Sequence, residues 1–505
     1  MTALLRRSAS ARRPARVLTA AQAAGEWDVV VIGAGSAGLV ASRTAASLGA
    51  RTLLIEADRF GGECLYTGCV PSKALIAAAH AAHAARTAHR YGVDVADVAV
   101  DFARVMASVR AAITTIEPVD SPEALVAKGV SVLRGRARLS GPQTFVVDGV
   151  EIAFRDAILA TGSTAVVPDV PGADAVDVLT NDTFWNLDAL PRTLLVQGGG
   201  PIGCEIAQAM ARLGSAVVLV HRGDRLLPRE DAAAGDAIRA ALSADGVDVR
   251  LGTSVERMTA SDDPGSGEAT LTDGTTVLFD RVLAAAGRRA RVDGLGLEAA
   301  GVALTDHGDI AVDDTLATSN PRIRAVGDVT PLPRFTHTAG YFGSVAASNA
   351  ALGLFRRADG AGVPRVTFTA PEVGAIGVSP DDARARGWTV VTQPHHDLDR
   401  AIADGEPTGS TTLVADPRGR LRGALVIGPR AGEVLGELTT AIGAGLSIRD
   451  LASTMHAYPT YADGAWNGAV QSAQKGLASG PVAFGIRMLR RWHGRRHALP
   501  HRSDR

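Results

Sequence analysis

The chain has 505 residues, 46% apolar and 21% charged, which is too long for one core and suits a globular protein of about two to four domains. Its formal net charge of −1 excludes a globally basic nucleic-acid binder. No run of roughly 18 uncharged apolar residues marks a membrane span. Three cysteines, Cys64, Cys69 and Cys204, cannot make a disulfide framework, and a close pair in so long a chain points to redox chemistry in a reducing compartment.

Residues 1–25 carry Arg6, Arg7, Arg12, Arg13 and Arg16 with no acid and no apolar signal core, so a disordered lead-in is expected. Trp27 to Ile32 reads as a buried parallel strand. Gly33-Ala-Gly35-Ser-Ala-Gly38 follows at once, then a helix from Ser36 to Leu48 and a strand from Thr52 that ends on Glu56. In such a βαβ unit the glycines let backbone approach a pyrophosphate at the helix N-terminus, and the acid accepts from a ribose hydroxyl. Next comes Gly61-Gly62-Glu-Cys64-Leu-Tyr-Thr-Gly68-Cys69-Val-Pro71-Ser-Lys73. In a straight helix two positions five apart are separated by about 7.5 Å of rise, beyond the roughly 7 Å limit for a disulfide. A bridge here needs a bent entry into a helix that starts near Pro71, and glycines on both sides allow one. Cys69 would then lie near a helix N-terminus that favours its thiolate. Two buried structural cysteines is the alternative reading of the pair.

Helices are expected from Ser72 to Tyr91 and from Phe102 to Ile116, then a β-meander from Val130 to Phe154 and a buried strand ending at Thr161-Gly162-Ser163. The glycine fingerprint then repeats: strand Leu194–Val196, turn Gly198-Gly-Gly200-Pro-Ile-Gly203, helix Cys204–Leu213, strand Ala216–Val220. The spacing from Gly38 to Glu56 equals that from Gly203 to His221, so His221 and Arg222 occupy the place of the acid. Basic residues there accommodate a 2′-phosphate, which makes NADPH the expected nucleotide and NADH the less favoured one. Residues 261–267 read as a hairpin tip. Ala284–Gly287-Arg288 resembles the strand end at Thr161, and Arg324–Gly327-Asp328 is another strand end capped by an acid. From about 362 onward a separate α+β domain of strands and two helices follows. The tail beyond Gly480 would set Phe484, Met488 and Leu489 against arginines on a helix, a pattern suited to an anionic membrane surface, with a solvated tail as the alternative.

With these motifs in order, residues 26 to 475 resemble the class I pyridine nucleotide-disulfide oxidoreductases, the FAD enzymes that include dihydrolipoamide dehydrogenase, glutathione reductase and mercuric reductase. The resemblance implies an α/β fold with two Rossmann-like dinucleotide-binding domains, for FAD and NAD(P), and a C-terminal α+β dimerisation domain. The boundaries it implies are 26–165 and 291–361 for FAD, 166–290 for NAD(P), 362–478 for dimerisation and 479–505 for the tail. Gly33, Gly35, Gly38, Glu56, Gly62, Ala137 and Thr161-Gly162-Ser163 would hold FAD, Asp328 its ribityl chain, and Phe335-Thr336-His337 would pass under the flavin. Gly198, Gly200, Gly203, His221, Arg222 and Gly287 would hold the nicotinamide nucleotide. Cys69 would stack on the flavin, Cys64 would meet the substrate, and Lys73 would pair with Glu205 beside the ring.

The resemblance also implies a homodimer in which each subunit completes the other's active site with a His before Pro-Thr and a Glu behind it. Here Tyr458 and Asp463 stand at those places, with His456 two residues upstream. A tyrosine, with a pKa of roughly 10, is a poor base at neutral pH, so weak lipoamide or glutathione-disulfide turnover is expected. Mercuric reductases show a tyrosine there, but the vicinal C-terminal cysteines they use are missing. The expected activity is electron transfer from NADPH through FAD and the cysteine pair to a small disulfide, a quinone or a soft metal ion. A slow flavin redox partner docking a protein at a membrane, and a dihydrolipoamide dehydrogenase, are the alternatives. No resident metal or nucleic acid is expected, and the place of action would be the cytoplasm, with membrane-surface contact through the tail.

Overall fold

The computed structural model describes residues 14–360, 362–478, 484–490 and 492. The chain divides into two compact units, one running to Leu226 and from Leu242 to Gly360, the other made of Leu227–Ala241 with the chain from Ala361 onward.

The first unit is built on β1 (Gly25–Ile32), whose valines are bulky and β-branched and suit a strand buried on both faces. Val30 and Ile32 pack into the core on one side of the sheet and Val29 and Val31 into the core on the other, the two-residue period of a strand. The parallel order across this sheet is Val17–Leu18, Val130–Arg134, β2 (Thr52–Glu56), β1 and Val150–Leu159. The antiparallel meander covers only the strands Arg138–Gly141, Thr144–Val147 and Val150–Leu159. Val130–Arg134, assigned to the meander from sequence, pairs instead with β2, because its near-continuous apolar run needs cover on both faces. Val150–Leu159 is long enough to change partner along one edge: its first half pairs with Thr144–Val147 and its last three residues with Ile323–Ala325.

The lead-in is not disordered over its described part. Val17–Leu18 extends the sheet, with Leu18 buried, and the turn Ala20–Ala23 is closed by a Thr19–Gln22 capping box. The Trp27 Nε1–H donates to the Ala23 carbonyl at 2.9 Å. Residues 1–13 lie outside the described residues.

After β1 comes α1 (Ser36–Ser47), then the cysteine segment as two helices, α2 (Gly62–Tyr66) and α3 (Cys69–Thr87). The fingerprint copy is β3 (Thr193–Gln197), α4 (Pro201–Leu213) and β4 (Ala216–His221) in a parallel sheet with Asp248–Leu251, Arg281–Ala284 and Val178–Leu179. Residues 261–267 do form a hairpin tip, between Val255–Ala260 and Gly267–Leu271. Helix α5 (Thr336–Leu352) lies on α1 so closely that a Cβ on Gly343 would stand 2.5 Å from the Ala37 carbonyl oxygen. That contact holds the start of α5 near the glycine turn, and only glycine permits it.

The second unit has a five-stranded antiparallel sheet, ordered Arg365–Thr367, Glu372–Gly377, Leu421–Gly428, Ser410–Ala415, Thr389–Pro394. Ala431–Gly443 and α6 (Asp463–Ala478) complete it. Leu227–Ala241, expected in the NAD(P) domain, groups with this unit, and Glu230 takes a two-pronged ion pair from Arg365 at 2.8 and 2.9 Å. In the tail, residues 484–490 and 492 are helical with Phe484, Met488, Leu489 and Trp492 exposed; its other expected residues lie outside the described ones. Among the described residues no helix is long and apolar enough to cross a membrane.

Candidate active site

The two glycine turns are built alike. Gly33 has φ +100°, and a Cβ there would stand 2.4 Å from the Ala160 oxygen; Gly198 has φ +128°, with the Ala285 oxygen at 2.3 Å. Gly38 and Gly203 each pack back on the first glycine of their turn, where a Cβ would meet its carbonyl oxygen at 1.8 and 1.9 Å. Gly35 and Gly200 are the N-caps of α1 and α4, so in each copy the unpaired amides of the first turn face an open site. The residue at the end of the second strand closes each turn. Glu56 accepts from the Ala34 N–H at 2.6 Å, and His221 accepts through Nδ1 from the Gly199 N–H at 3.3 Å.

That last contact changes the part His221 plays. Its ring lies against Gly199, and burial, reinforced by Arg222, pushes its pKa below the ordinary imidazole value, so it is neutral and engaged with the turn. Arg222, the next residue, is exposed and makes no hydrogen bond or ion pair among the described residues.

Cys64 lies in α2 and Cys69 opens α3, with Thr67 and Gly68 breaking the helix between them; Gly61 and Gly62 have φ +115° and +63°. Both sulfurs are unbonded thiols here, Cys64 half-buried and Cys69 exposed. They divide one proton unequally. The Cys64 thiol donates to Cys69 and is buried, both of which raise its pKa far above the ordinary thiol value. Cys69 is pushed below that value, first by the hydrogen bond from Cys64, then by Thr336 and Lys73. The Thr336 hydroxyl stands 3.1 Å from the Cys69 sulfur. Behind the pair, Lys73 Nζ donates to the buried Glu205 carboxylate at 2.9 Å, tying α3 to α4.

Thr161 donates to the Arg291 carbonyl at 2.8 Å, and Gly162, at φ +74°, has open space where a side chain would stand. Ser163 donates to Asp328 at 2.7 Å. Ala137 is buried in the core, two residues beyond Gly135, whose N–H donates to the Glu56 carbonyl at 2.8 Å. Gly287, at φ +142°, leads into Arg288. Phe335 N-caps α5, and its ring stacks on His337 at 5.3 Å. Sequence reasoning missed a cluster here. Arg288 bonds Ser163 Oγ at 2.8 Å and Asn181 at 3.2 Å, and forms an ion pair with Glu63, the residue before Cys64. An acid inside the cysteine motif was the one visible signal.

In the second unit Tyr458, joined to Pro459 by a cis bond, is largely exposed and its hydroxyl donates to Asp399. Asp463 acts on it only through its charge; its carboxylate accepts from the Thr460 N–H at 2.8 Å, holding the turn into α6. His456 is turned away, with Nε2 2.6 Å from Glu437 and Nδ1 2.9 Å from the Thr454 carbonyl.

A Cβ at Gly33, Gly38, Gly198 or Gly203 would clash with backbone, and the helix N-termini and acid-tipped β2 suit an FAD adenosine diphosphate in the first turn and a nicotinamide dinucleotide in the second. Among the described residues no group of three His, Cys, Asp or Glu could hold a metal ion.

The model of the family described as pyridine nucleotide-disulphide oxidoreductase matches residues 27–343, and that of its dimerisation domain matches 363–468. The chain is 34% identical to a mercuric reductase of Streptomyces lividans, over 86% of this chain and 94% of that protein. It is 36% identical to a dihydrolipoyl dehydrogenase of Halobacterium salinarum, over 86% and 94%. Among solved structures it resembles the Cu(II) complex of the HOCl-induced flavoprotein disulfide reductase RclA from Escherichia coli, with a TM-score of 0.79, 26% identity, and coverage of 88% of this chain and 99% of that one. With its paired glycine turns, its Cys64–Cys69 segment and both domain models in place, the chain belongs to the pyridine nucleotide-disulphide oxidoreductases, FAD-dependent enzymes that take electrons from NAD(P)H.

Proposed function

We propose that this chain is an NADPH-dependent flavoprotein reductase whose Cys64 and Cys69 deliver electrons to a thiophilic metal ion. FAD, when bound, carries an electron pair from the nicotinamide to the disulfide. Everything after that falls to the chain's own groups. Reduction leaves Cys69 as the thiolate and Cys64 as the thiol, a division held by their mutual hydrogen bond, Thr336 and Lys73. A soft dication bound by both sulfurs displaces the Cys64 proton to solvent, since the thiolate is the metal ligand. Re-forming the disulfide then releases two electrons, enough for one Hg(II) to become Hg(0) or two Cu(II) to become Cu(I).

The observation that favours a metal over a disulfide is Tyr458 in front of Pro459, where no imidazole is available. Its hydroxyl donates to Asp399, which raises the tyrosine pKa further and makes it a poorer proton donor still. A disulfide acceptor needs a proton for its leaving thiol, whereas a metal ion needs none. A mercuric reductase among the relatives and the Cu(II) complex of RclA agree with this choice. NADPH is the proposed donor because Arg222 is the exposed cation at the end of β4.

The test is NADPH oxidation by the purified protein with Hg(II), Cu(II), lipoamide and glutathione disulfide. Metal-dependent turnover at least about a hundredfold above either disulfide is expected, on the scale of losing a general acid–base group. Faster turnover with lipoamide would make the protein a dihydrolipoamide dehydrogenase, and slow turnover with all four would favour a redox partner or sensor.

A further inference from the structure

The C-terminal tail lies beyond residue 468, where the match to the dimerisation domain ends. From Gly480 to Arg505 it holds seven arginines and a single acid, Asp504. Its described residues, 484–490 and 492, are helical. Phe484, Met488 and Trp492 follow one another at four-residue steps and so line one face, with Leu489 beside them. At about 3.6 residues per turn these four fall within an arc of about 140°. Arg487 and Arg490 stand on the opposite side, both exposed. The four apolar residues are each between 52% and 65% exposed. Single exposed apolar residues are ordinary, but four on one helical face make a patch that water disfavours.

We propose that this helix lays its apolar face into the surface of an anionic lipid bilayer and holds the enzyme there, whichever acceptor the reductase uses. Charge selects this occupant. Phe484, Met488, Leu489 and Trp492 would enter the boundary between headgroups and acyl chains, about 5–10 Å deep. The long stems of Arg487 and Arg490 let their guanidinium groups reach the lipid phosphates from the other side of the helix. Five arginines between positions 487 and 496 forbid a span, so the segment lies on the bilayer. A second copy of the tail fits worse, because pairing two such faces would crowd arginines with almost no acid to answer them. Nucleic acid would satisfy the arginines but leave the four apolar residues in water.

The test is co-sedimentation of the full-length holoenzyme with vesicles of phosphatidylcholine mixed with anionic phosphatidylglycerol, and with vesicles of phosphatidylcholine alone. The wild type should pellet with the mixed vesicles and stay in solution with the neutral ones. Raising salt from about 0.1 M to about 1 M, which shortens screening from about 10 Å to about 3 Å, should weaken the binding. R487Q and R490Q should each lower the partition coefficient about fivefold, the effect of about 1 kcal/mol per arginine at such a surface. F484A combined with L489A should lower it by about tenfold or more. A chain ending at Ser479 should stay in solution with both vesicles while oxidising NADPH at the wild-type rate, since the tail contains neither a glycine turn nor the cysteine segment. Emission of Trp492, read as the difference between wild type and W492F, should shift to shorter wavelength only with the mixed vesicles. Equal recovery of the full and shortened chains in the pellet, or undiminished binding by the F484A/L489A protein, would overturn the proposal. So would a tail-dependent rise in oligomer size without lipid, which marks a second copy as the occupant, or tail-dependent binding to single-stranded nucleic acid tighter than to the mixed vesicles.

Discussion

Replacing Cys64 with Ser should leave reduction of bound FAD by NADPH at its wild-type rate and lower metal-dependent turnover by about a thousandfold or more, the scale of removing a covalent catalytic group. The split follows from where the residues lie. The glycine turns that would carry both nucleotides contain neither cysteine, and it is Cys69 that opens α3, with the Thr336 hydroxyl 3.1 Å from its sulfur. In C64A, which puts no donor at this place, Cys69 loses the largest influence lowering its pKa, the hydrogen bond between the two sulfurs. The variant's thiolate should therefore appear at a higher pH than in the wild type, which a pH titration of the reduced protein's absorbance measures. A C64S enzyme that still reduced Hg(II) or Cu(II) rapidly would mean that the metal takes electrons from the flavin without the pair.

The second large effect is on the nucleotide. R222E should raise KM for NADPH by about 10- to 100-fold, the loss of one charge-assisted contact worth about 1.5–3 kcal/mol, with KM for NADH little changed. H221A should do something different. His221 is neutral and bonded to the Gly199 N–H, so removing it loosens the turn and should weaken both nucleotides together. Steady-state kcat/KM for each variant with each nucleotide separates the two roles. An unchanged NADPH preference in R222E would place the 2′-phosphate elsewhere.

Local chemistry explains what could be read in advance. A glycine turn between an apolar strand and a helix admits one backbone path, so β1–α1–β2 and β3–α4–β4 were legible to within three residues, the largest miss being the start of α4 at Pro201 rather than Cys204. The break between Cys64 and Cys69 was legible because the pair's spacing in a straight helix would not allow a bridge. What was not legible depends on contacts between distant segments. Val130–Arg134 reads as a hairpin strand although β2 claims it, and Val17–Leu18 reads as unstructured because the strand it pairs with lies more than a hundred residues away. The Glu63–Arg288–Asn181 cluster joins three segments whose sequence separation hides it. Asp463 shows the reverse: a position named by analogy that the structure uses to hold the turn into α6.

The account depends on a sulfur pair held against a flavin, and anaerobic titration of the purified protein with NADPH tests that directly. It predicts that the first two electrons produce a long-wavelength band from the Cys69 thiolate against the oxidised ring, present in wild type and absent from C69S. A protein that purifies without flavin, or one whose flavin bleaches from the first addition with no such band, would contradict it.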